Sequence, residues 1–320
     1  MYKSFFHLQS NPFGGSPDPR FLYMMPHTRE ALAGLEFGIS TRKGFIVLTG
    51  EVGTGKTTLL RRALTSFDPN RVLTSFVFNP RLEVLDFLEF VLCDFGLTPT
   101  SRSKSGMLIQ LNRWLIERFR QEQICVIVVD EAQNLSWELL EEIRLLTNLE
   151  ASSEKLLQIV LSGQPEFESK LRQTELRQLR QRVSLWCRTH PLTEEQTAAY
   201  IDQRLLIARD PSTNSSLAVD QQPIFSRDAI PLIHRASLGI PRVINLICEH
   251  SLIFAYVEDL HHIPAAMVKA VIQDLDLEPR SFLVSAAPPE RGEAVSTPRA
   301  VSVLSPSPRP EDIGESGQDR

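Results

Sequence analysis

Two short stretches of the sequence combine residue types that can bind and react with phosphate. The first, residues 50–57, reads GEVGTGKT and fits the pattern G-x-x-x-x-G-K-[ST]. Its glycines let backbone N–H groups converge on phosphate oxygens, Lys56 can reach the outer phosphates, and the Thr57 hydroxyl can ligate Mg²⁺. A nucleoside triphosphate is therefore the expected ligand. The residues expected to contact it are Gly50, Glu51, Val52, Gly53, Thr54, Gly55, Lys56, Thr57 and Thr58.

The second stretch is the acidic pair Asp130-Glu131, which follows the apolar run 125–129. Open α/β sheets bind ligands at the carboxyl ends of their strands, so Asp130 is expected to hold Mg²⁺ there. Glu131 could accept a proton from an attacking water or orient that water. The alternative is a solvated acidic pair that only ends a strand. The pair favours hydrolysis over transfer to a hydroxyl, which counts against a small-molecule kinase.

The elements that must position these residues alternate between strands and helices. Because the first motif follows an apolar run and precedes a helix-like segment, an accidental glycine-rich turn is the weaker interpretation. This alternation predicts an α/β P-loop NTPase domain with three layers and a mostly parallel sheet. The predicted strands are residues 45–48, 72–78, 125–130, 156–162 and 183–187.

After residue 191 the strand signals stop and only helical patterns continue. Thr193 and Gln196 have the spacing of a capping box, and three further helices are predicted within residues 226–275. A small all-helical lid domain is therefore expected. A polar connector is predicted at 211–223, and the Pro- and Ser-rich tail is predicted to be disordered. The predicted units are residues 1–40, 41–191, 192–277 and 278–320.

The N-terminal 40 residues combine turn signals, aromatic side chains and an amphipathic helix pattern. This segment could cap the first strand of the sheet. It could equally pack against the base of a bound nucleotide, since apolar side chains line most ligand sites. The sequence leaves both arrangements open.

The overall composition restricts the cellular setting. The net charge is −5, with 34 basic against 39 acidic residues, so the chain is not a polycation that coats nucleic acid or anionic membranes. The four cysteines lack metal-like spacing and are expected to be reduced thiols. No signal peptide and no apolar stretch of about 18 residues occurs, so no transmembrane segment is predicted. These observations predict a cytoplasmic protein.

Taken together, the motifs resemble those of AAA+ ATPases, and those of the general secretion pathway protein A (ExeA-like) subgroup in particular. The likeness covers roughly residues 1–277. The resemblance implies ATP and Mg²⁺ as ligands, and hydrolysis of ATP to ADP and phosphate that a ring or filament of copies, or a partner, stimulates. The motifs that carry it are Phe5-Phe6, Asn11-Pro12-Phe13, Pro17-Asp18-Pro19, Phe21-Leu22-Tyr23, residues 43–59, residues 130–135 (DEAQNL) and residues 162–166 (SGQPE).

The resemblance also implies roles for residues outside the two motifs. Gln164 or Ser162 would be the polar residue that senses the γ-phosphate, although either could merely cap the next helix. Arg182, or failing that Arg180, would be the arginine finger that completes a neighbour's site. The alternatives for these arginines are a solvated helix face or a DNA-phosphate patch. Arg242 would reach the phosphates from the lid, unless it is a surface arginine in a salt bridge.

Proteins of this subgroup often continue into a transmembrane helix and a periplasmic peptidoglycan-binding region, whereas this chain ends in its Pro- and Ser-rich tail. The expectation is a soluble form that acts with membrane secretion or exopolysaccharide-export proteins, in the cytoplasm or at the inner membrane through a partner. The alternative is an ATP-dependent DNA-associated regulator resembling transposition target-selection ATPases. Arginines between residues 172 and 188 could contact DNA, but the net acidity of the chain counts against this alternative.

Overall fold

The architecture is a parallel sheet between two layers of helices, followed by a helical lid. The computed structural model describes residues 2–151, 154–209 and 223–277, so the predicted tail and nearly all of the predicted connector lie outside the described residues. Five strands pair in parallel in the order β2-β3-β6-β1-β7, and β4 and β5 form a separate hairpin. The strands are β1 Phe45–Thr49, β2 Val72–Val77, β3 Ile124–Val129, β4 Glu150–Ala151, β5 Glu154–Lys155, β6 Leu157–Gly163 and β7 Leu185–Arg188.

Along the chain, helices lie between the strands of the sheet and follow its last strand, which confirms the predicted fold class. In the lid, the capping box of Thr193 and Gln196 is present at the start of a helix, as its spacing predicts. None of the helices in the described ranges is both long and apolar enough to cross a membrane. The helices are α1 Tyr2–Phe5, α2 Pro26–Ser40, α3 Lys56–Thr65, α4 Val84–Asp94, α5 Lys104–Arg120, α6 Trp137–Leu146, α7 Pro165–Leu171, α8 Arg177–Arg180, α9 Glu194–Ala208, α10 Ala229–Ser237, α11 Pro241–Val257 and α12 Ala265–Asp274.

Alternation along the strands explains the three layers. Phe45 and Val47 of β1 contribute to the core beneath α4–α8, whereas Ile46 and Leu48 contribute to the core beneath α2 and α3. Because successive side chains of a strand point to opposite faces, a strand covered on both sides is apolar along most of its length. All five side chains of β1 are accordingly buried.

The structure refines the prediction around the fifth sheet strand. The stretch between β6 and this strand is divided into α7, a 3₁₀ turn at Thr174–Leu176 and the short α8. The strand itself begins at Leu185, two residues later than predicted. The β4–β5 hairpin was not predicted, because strands of two residues are too short to show a periodic pattern.

The lid has a hydrophobic core of its own, formed by α9–α12 together with the start of the chain. Phe6, Phe13 and Phe21 lie in this core, and α1 packs on α11. The backbone N–H of Gln9 donates to the Ala208 carbonyl oxygen over 2.8 Å, and Leu8 bridges to Arg209. α2, in contrast, packs on the sheet. The N-terminal segment therefore joins the lid to the sheet.

Candidate nucleotide site

The first phosphate motif forms the turn between β1 and α3. Gly53 and Gly55 adopt φ values of 81° and 93°, in the left-handed region that favours glycine. No described residue accepts a hydrogen bond from the backbone N–H of either glycine. These donors lie at the start of α3, where the helix dipole also favours negative charge. The turn therefore fits a phosphate group.

Lys56 is buried against this turn. Its Nζ donates to the carbonyl oxygens of Gly50 over 2.8 Å and Glu51 over 3.0 Å. Burial lowers the pKa of Lys56, while the nearby carboxylates of Glu131 and Asp130 oppose the shift. A buried ammonium group held only by neutral carbonyl groups is well suited to bind an anion.

Asp130 lies at the end of β3 and connects three parts of the site. Its Oδ2 accepts a hydrogen bond from Thr57 Oγ1 over 2.8 Å, and its Oδ1 accepts from Ser162 Oγ over 2.8 Å. The strand order explains this meeting, because β6, which carries Ser162, lies between β1 and β3. The oxygens of Thr57 and Asp130 are the hard ligands that Mg²⁺ prefers, so this pair fits a magnesium ion.

Glu131 lies beside Asp130 in a constrained conformation. Its φ of 54° is uncommon for a residue other than glycine. Its Oε2 accepts hydrogen bonds from Gln133 Nε2 over 2.5 Å and from Gln164 Nε2 over 3.1 Å. Gln164 and Ser162, the two candidate phosphate sensors, thus contact the two carboxylates, and Gln133 was missed as a member of the site.

A cavity of about 750 Å³ connects the turn to the lid and to the N-terminal segment. Lys56, Thr57 and Glu131 lie along it, together with Phe13 and Tyr23. Residues of the N-terminal segment line this cavity, while α2 of the same segment packs on the sheet, so contact of the segment with a nucleotide base stays a prediction. Its aromatic side chains give part of the cavity the apolar character that a nucleotide base requires.

Polar side chains of the lid fasten the N-terminal segment to this cavity. The Arg204 guanidinium donates from Nε to the Pro12 carbonyl oxygen over 2.5 Å and from Nη1 to Tyr200 Oη over 2.8 Å. It also lies 4.6 Å from the centre of the Phe21 ring. Glu249 Oε1 accepts from Tyr2 and Asn11, each over 2.8 Å. Sequence patterns gave no signal for Arg204 or Glu249, because their contacts with the N-terminal segment join distant parts of the chain.

The first turn of α11 rests directly on the phosphate turn. The backbone N–H of Arg242 donates to the Gly53 carbonyl oxygen over 3.2 Å. The exposed Arg242 side chain lines the same cavity as Lys56. This placement agrees with the predicted role of Arg242 on the phosphates, which stays a prediction.

Replacing Gly53 with Ala is expected to destabilise the contact between the turn and the lid. An added Cβ would lie 2.7 Å from Arg242 Cβ, at a left-handed backbone position. Backbone strain alone costs about 1–2 kcal/mol. Gly96→Ala is the matched control, because Gly96 has a similar φ of 79° and open space around it. Urea unfolding should show a larger loss for Gly53→Ala, and equal losses would contradict the close contact with the lid.

The two candidate finger arginines lie away from this cavity. Ser184, which follows them, donates its backbone N–H to the carbonyl oxygen of Phe45, the first residue of β1. This contact lies at the amino end of the strand, whereas the phosphate turn follows its carboxyl end. Arg182 Nη1 donates to Thr147 Oγ1 over 3.2 Å, whereas the Arg180 side chain is exposed. Neither arginine lines the cavity of its own chain. A role at a neighbouring copy's site stays a prediction.

The fold and the site define a P-loop nucleotide-binding protein of the AAA class. Residues 39–171 match the family model described as an AAA domain, and this part of the chain belongs to that family. Over 264 residues the chain is 42% identical to general secretion pathway protein A of Aeromonas hydrophila, which confirms the resemblance predicted from the motifs. The match covers 82% of this chain and only 46% of that relative.

Solved structures support the fold. Cdc6p from Pyrobaculum aerophilum superposes with a TM-score of 0.63 at 18% identity, over 89% of this chain and 74% of that one. The Aeropyrum pernix ORC2 protein, solved with ADPNP and ADP, gives 0.58 at 15% identity, over 80% of this chain and 71% of that one. RuvB of Thermotoga maritima gives 0.51 at 14% identity, over 80% and 71%. At these identities the likeness shows the fold alone.

Proposed function

We propose that this protein hydrolyses ATP in the presence of Mg²⁺. The observation that carries the proposal is the meeting of Lys56, Thr57 and Glu131 along one cavity, with Asp130 hydrogen-bonded to Thr57 and to the backbone N–H of Glu131. These are the groups that phosphoryl transfer to water requires: phosphate binding, metal ligands and a base.

Each residue has a distinct part in this reaction. The N–H groups of the phosphate turn and the Lys56 ammonium bind the phosphate oxygens. Thr57 and Asp130 would hold Mg²⁺, which when bound neutralises charge on the outer phosphates. Glu131 accepts the proton of the attacking water. Arg242 contributes from the lid, and Arg182 or Arg180 of a neighbouring copy stabilises the charge that develops in the transition state.

Phosphate release from ATP by the purified chain tests this proposal. Release should require Mg²⁺, should rise more than in proportion to protein concentration if copies complete each other's sites, and should disappear in Lys56→Ala. If the unmodified chain released no phosphate even at high protein concentration, the proposed hydrolysis would be refuted.

We further propose that the nucleotide cycle drives or regulates the assembly of a secretion or exopolysaccharide-export apparatus. Support comes from the relative named for the general secretion pathway, although the chain spans less than half of its length. Membrane proteins of that apparatus would be the partners, and they would bring this chain to the inner membrane. Export of protein and polysaccharide from cells carrying only the Lys56→Ala allele is expected to fall, and unchanged export of both would refute this client.

A second candidate function is ATP-dependent binding to DNA. It is supported by Arg177 and Arg180, whose side chains are exposed on α8 and have no ion-pair partner among the described residues. Phosphate contacts by such arginines would give strong salt dependence. Duplex DNA binding with ATP at low salt would support this candidate, and no binding under those conditions would remove it.

A further inference from the structure

Gln133 is a half-buried residue whose amide group is held at both ends. It lies in the 3₁₀ turn Ala132–Asn134, two residues after Glu131. Its Nε2 donates to Glu131 Oε2 over 2.5 Å, and its Oε1 accepts from the backbone N–H of Gln164 over 3.1 Å. Gln133 therefore connects the acidic pair after β3 to the turn after β6.

The orientation of this amide follows from its partners. A backbone N–H can only donate, so the amide oxygen of Gln133 must face Gln164. The amide NH₂ group must then face the Glu131 carboxylate, which as an anion can only accept. The turn that fixes this arrangement is crowded, because a Cβ on Gly163 would lie 2.9 Å from Phe167 Cβ and 3.2 Å from Gln133 Oε1.

Both amide donors reach the same oxygen of Glu131. Gln133 Nε2 and Gln164 Nε2 bond to Oε2, while no described residue donates to Oε1. Glu131 lines the cavity, but Gln133 and Gln164 do not. Their side chains reach the cavity through their hydrogen bonds to the Glu131 carboxylate.

We propose that Gln133 is a positioning residue for ATP hydrolysis, which holds Glu131 so that Oε2 is engaged and Oε1 is left to accept the proton of the attacking water. The inference rests on the proposed hydrolytic function. Glu131 also has an uncommon φ of 54°, and the bonds from both amides hold its side chain in place on this backbone.

The test replaces Gln133 with Met, which has a similar length and donates no hydrogen bond. Because a displacement of about 1 Å of a reacting group can cost 100-fold in rate, kcat should fall about 10- to 100-fold. KM and the affinity for a fluorescent ATP analogue should stay at their wild-type values, since Gln133 does not line the cavity. Gln110→Met is the matched control, because the half-buried Gln110 also accepts from a backbone N–H and donates from its amide, on α5.

A second background separates positioning from a general structural effect. If Gln133 acts only through Glu131, then Gln133→Met in a Glu131→Gln protein should cause no further fall in single-turnover hydrolysis. Equal falls in both backgrounds, a rise in KM in place of a fall in kcat, or an unchanged kcat would each overturn the inference. If the wild-type protein hydrolyses ATP and the Gln133→Met variant does so at the same rate, this inference alone is overturned. If the wild-type protein does not hydrolyse ATP, the proposed function is overturned as well.

Discussion

Glu131→Gln is expected to lower kcat for ATP hydrolysis by about 100- to 10,000-fold, which is the usual contribution of a general base. The variant amide can still accept from Gln133 and Gln164 through its oxygen, so the local geometry should persist. It cannot accept a proton from water. ATP should therefore bind and remain unhydrolysed, and phosphate release and nucleotide retention measure the two effects separately.

Glu89→Gln is the control for loss of one negative charge, because Glu89 is exposed on α4. Its kcat should match that of the wild type. If Glu131→Gln and Glu89→Gln hydrolysed ATP equally fast, Glu131 would not be the base. If Glu131→Gln failed to bind ATP, the assignment of its effect to the chemical step would be wrong.

The second large effect is expected from the finger arginine. Removing an arginine finger costs about 1,000- to 100,000-fold in kcat, so Arg182→Ala or Arg180→Ala should nearly abolish hydrolysis. Because neither arginine lines its own cavity, the loss should be repaired by another copy. Mixing the inactive arginine variant with Glu131→Gln should restore part of the activity, since one subunit then supplies the intact base and the other the intact arginine.

The two arginines should differ in a second measurement. Arg182 bonds to Thr147, so Arg182→Ala should also lower the free energy of unfolding, whereas the exposed Arg180 should tolerate replacement. Arg177→Ala is the control for Arg180→Ala, because both arginines lie on α8. If mixing restores no activity for either variant, neither arginine is a finger acting on a neighbouring copy.

The parts of the site that were predicted from the sequence are those whose residues lie close together in the sequence, within a single loop. The phosphate turn and Asp130-Glu131 each combine their residues over a few consecutive positions, and a strand before each gives its direction. Parallel strands then bring both motifs to the same edge of the sheet. The fold class follows from the same alternation of strands and helices, and the structure confirms it.

What the sequence could not predict depends on contacts between distant positions. Arg204 reaches Pro12 and Phe21, and nothing in the amphipathic pattern of α9 distinguishes it from a solvated arginine. Gln133 was in view within DEAQNL, but its role follows from the turn after β6, about 30 residues away. The start of strand β7 was predicted two residues too early, because local pattern does not fix where pairing with β1 begins.

The shared core of the N-terminal segment and the lid has a mechanical consequence. A lid joined to the sheet only through residues 189–193 could rotate about that connection in any direction. This lid is joined a second time, through the segment that runs from its core into α2. A body with two attachments rotates only about the line between them. When the lid moves as one body and displaces Arg242 against the phosphate turn, Arg204 and the aromatic wall of the cavity therefore move with it.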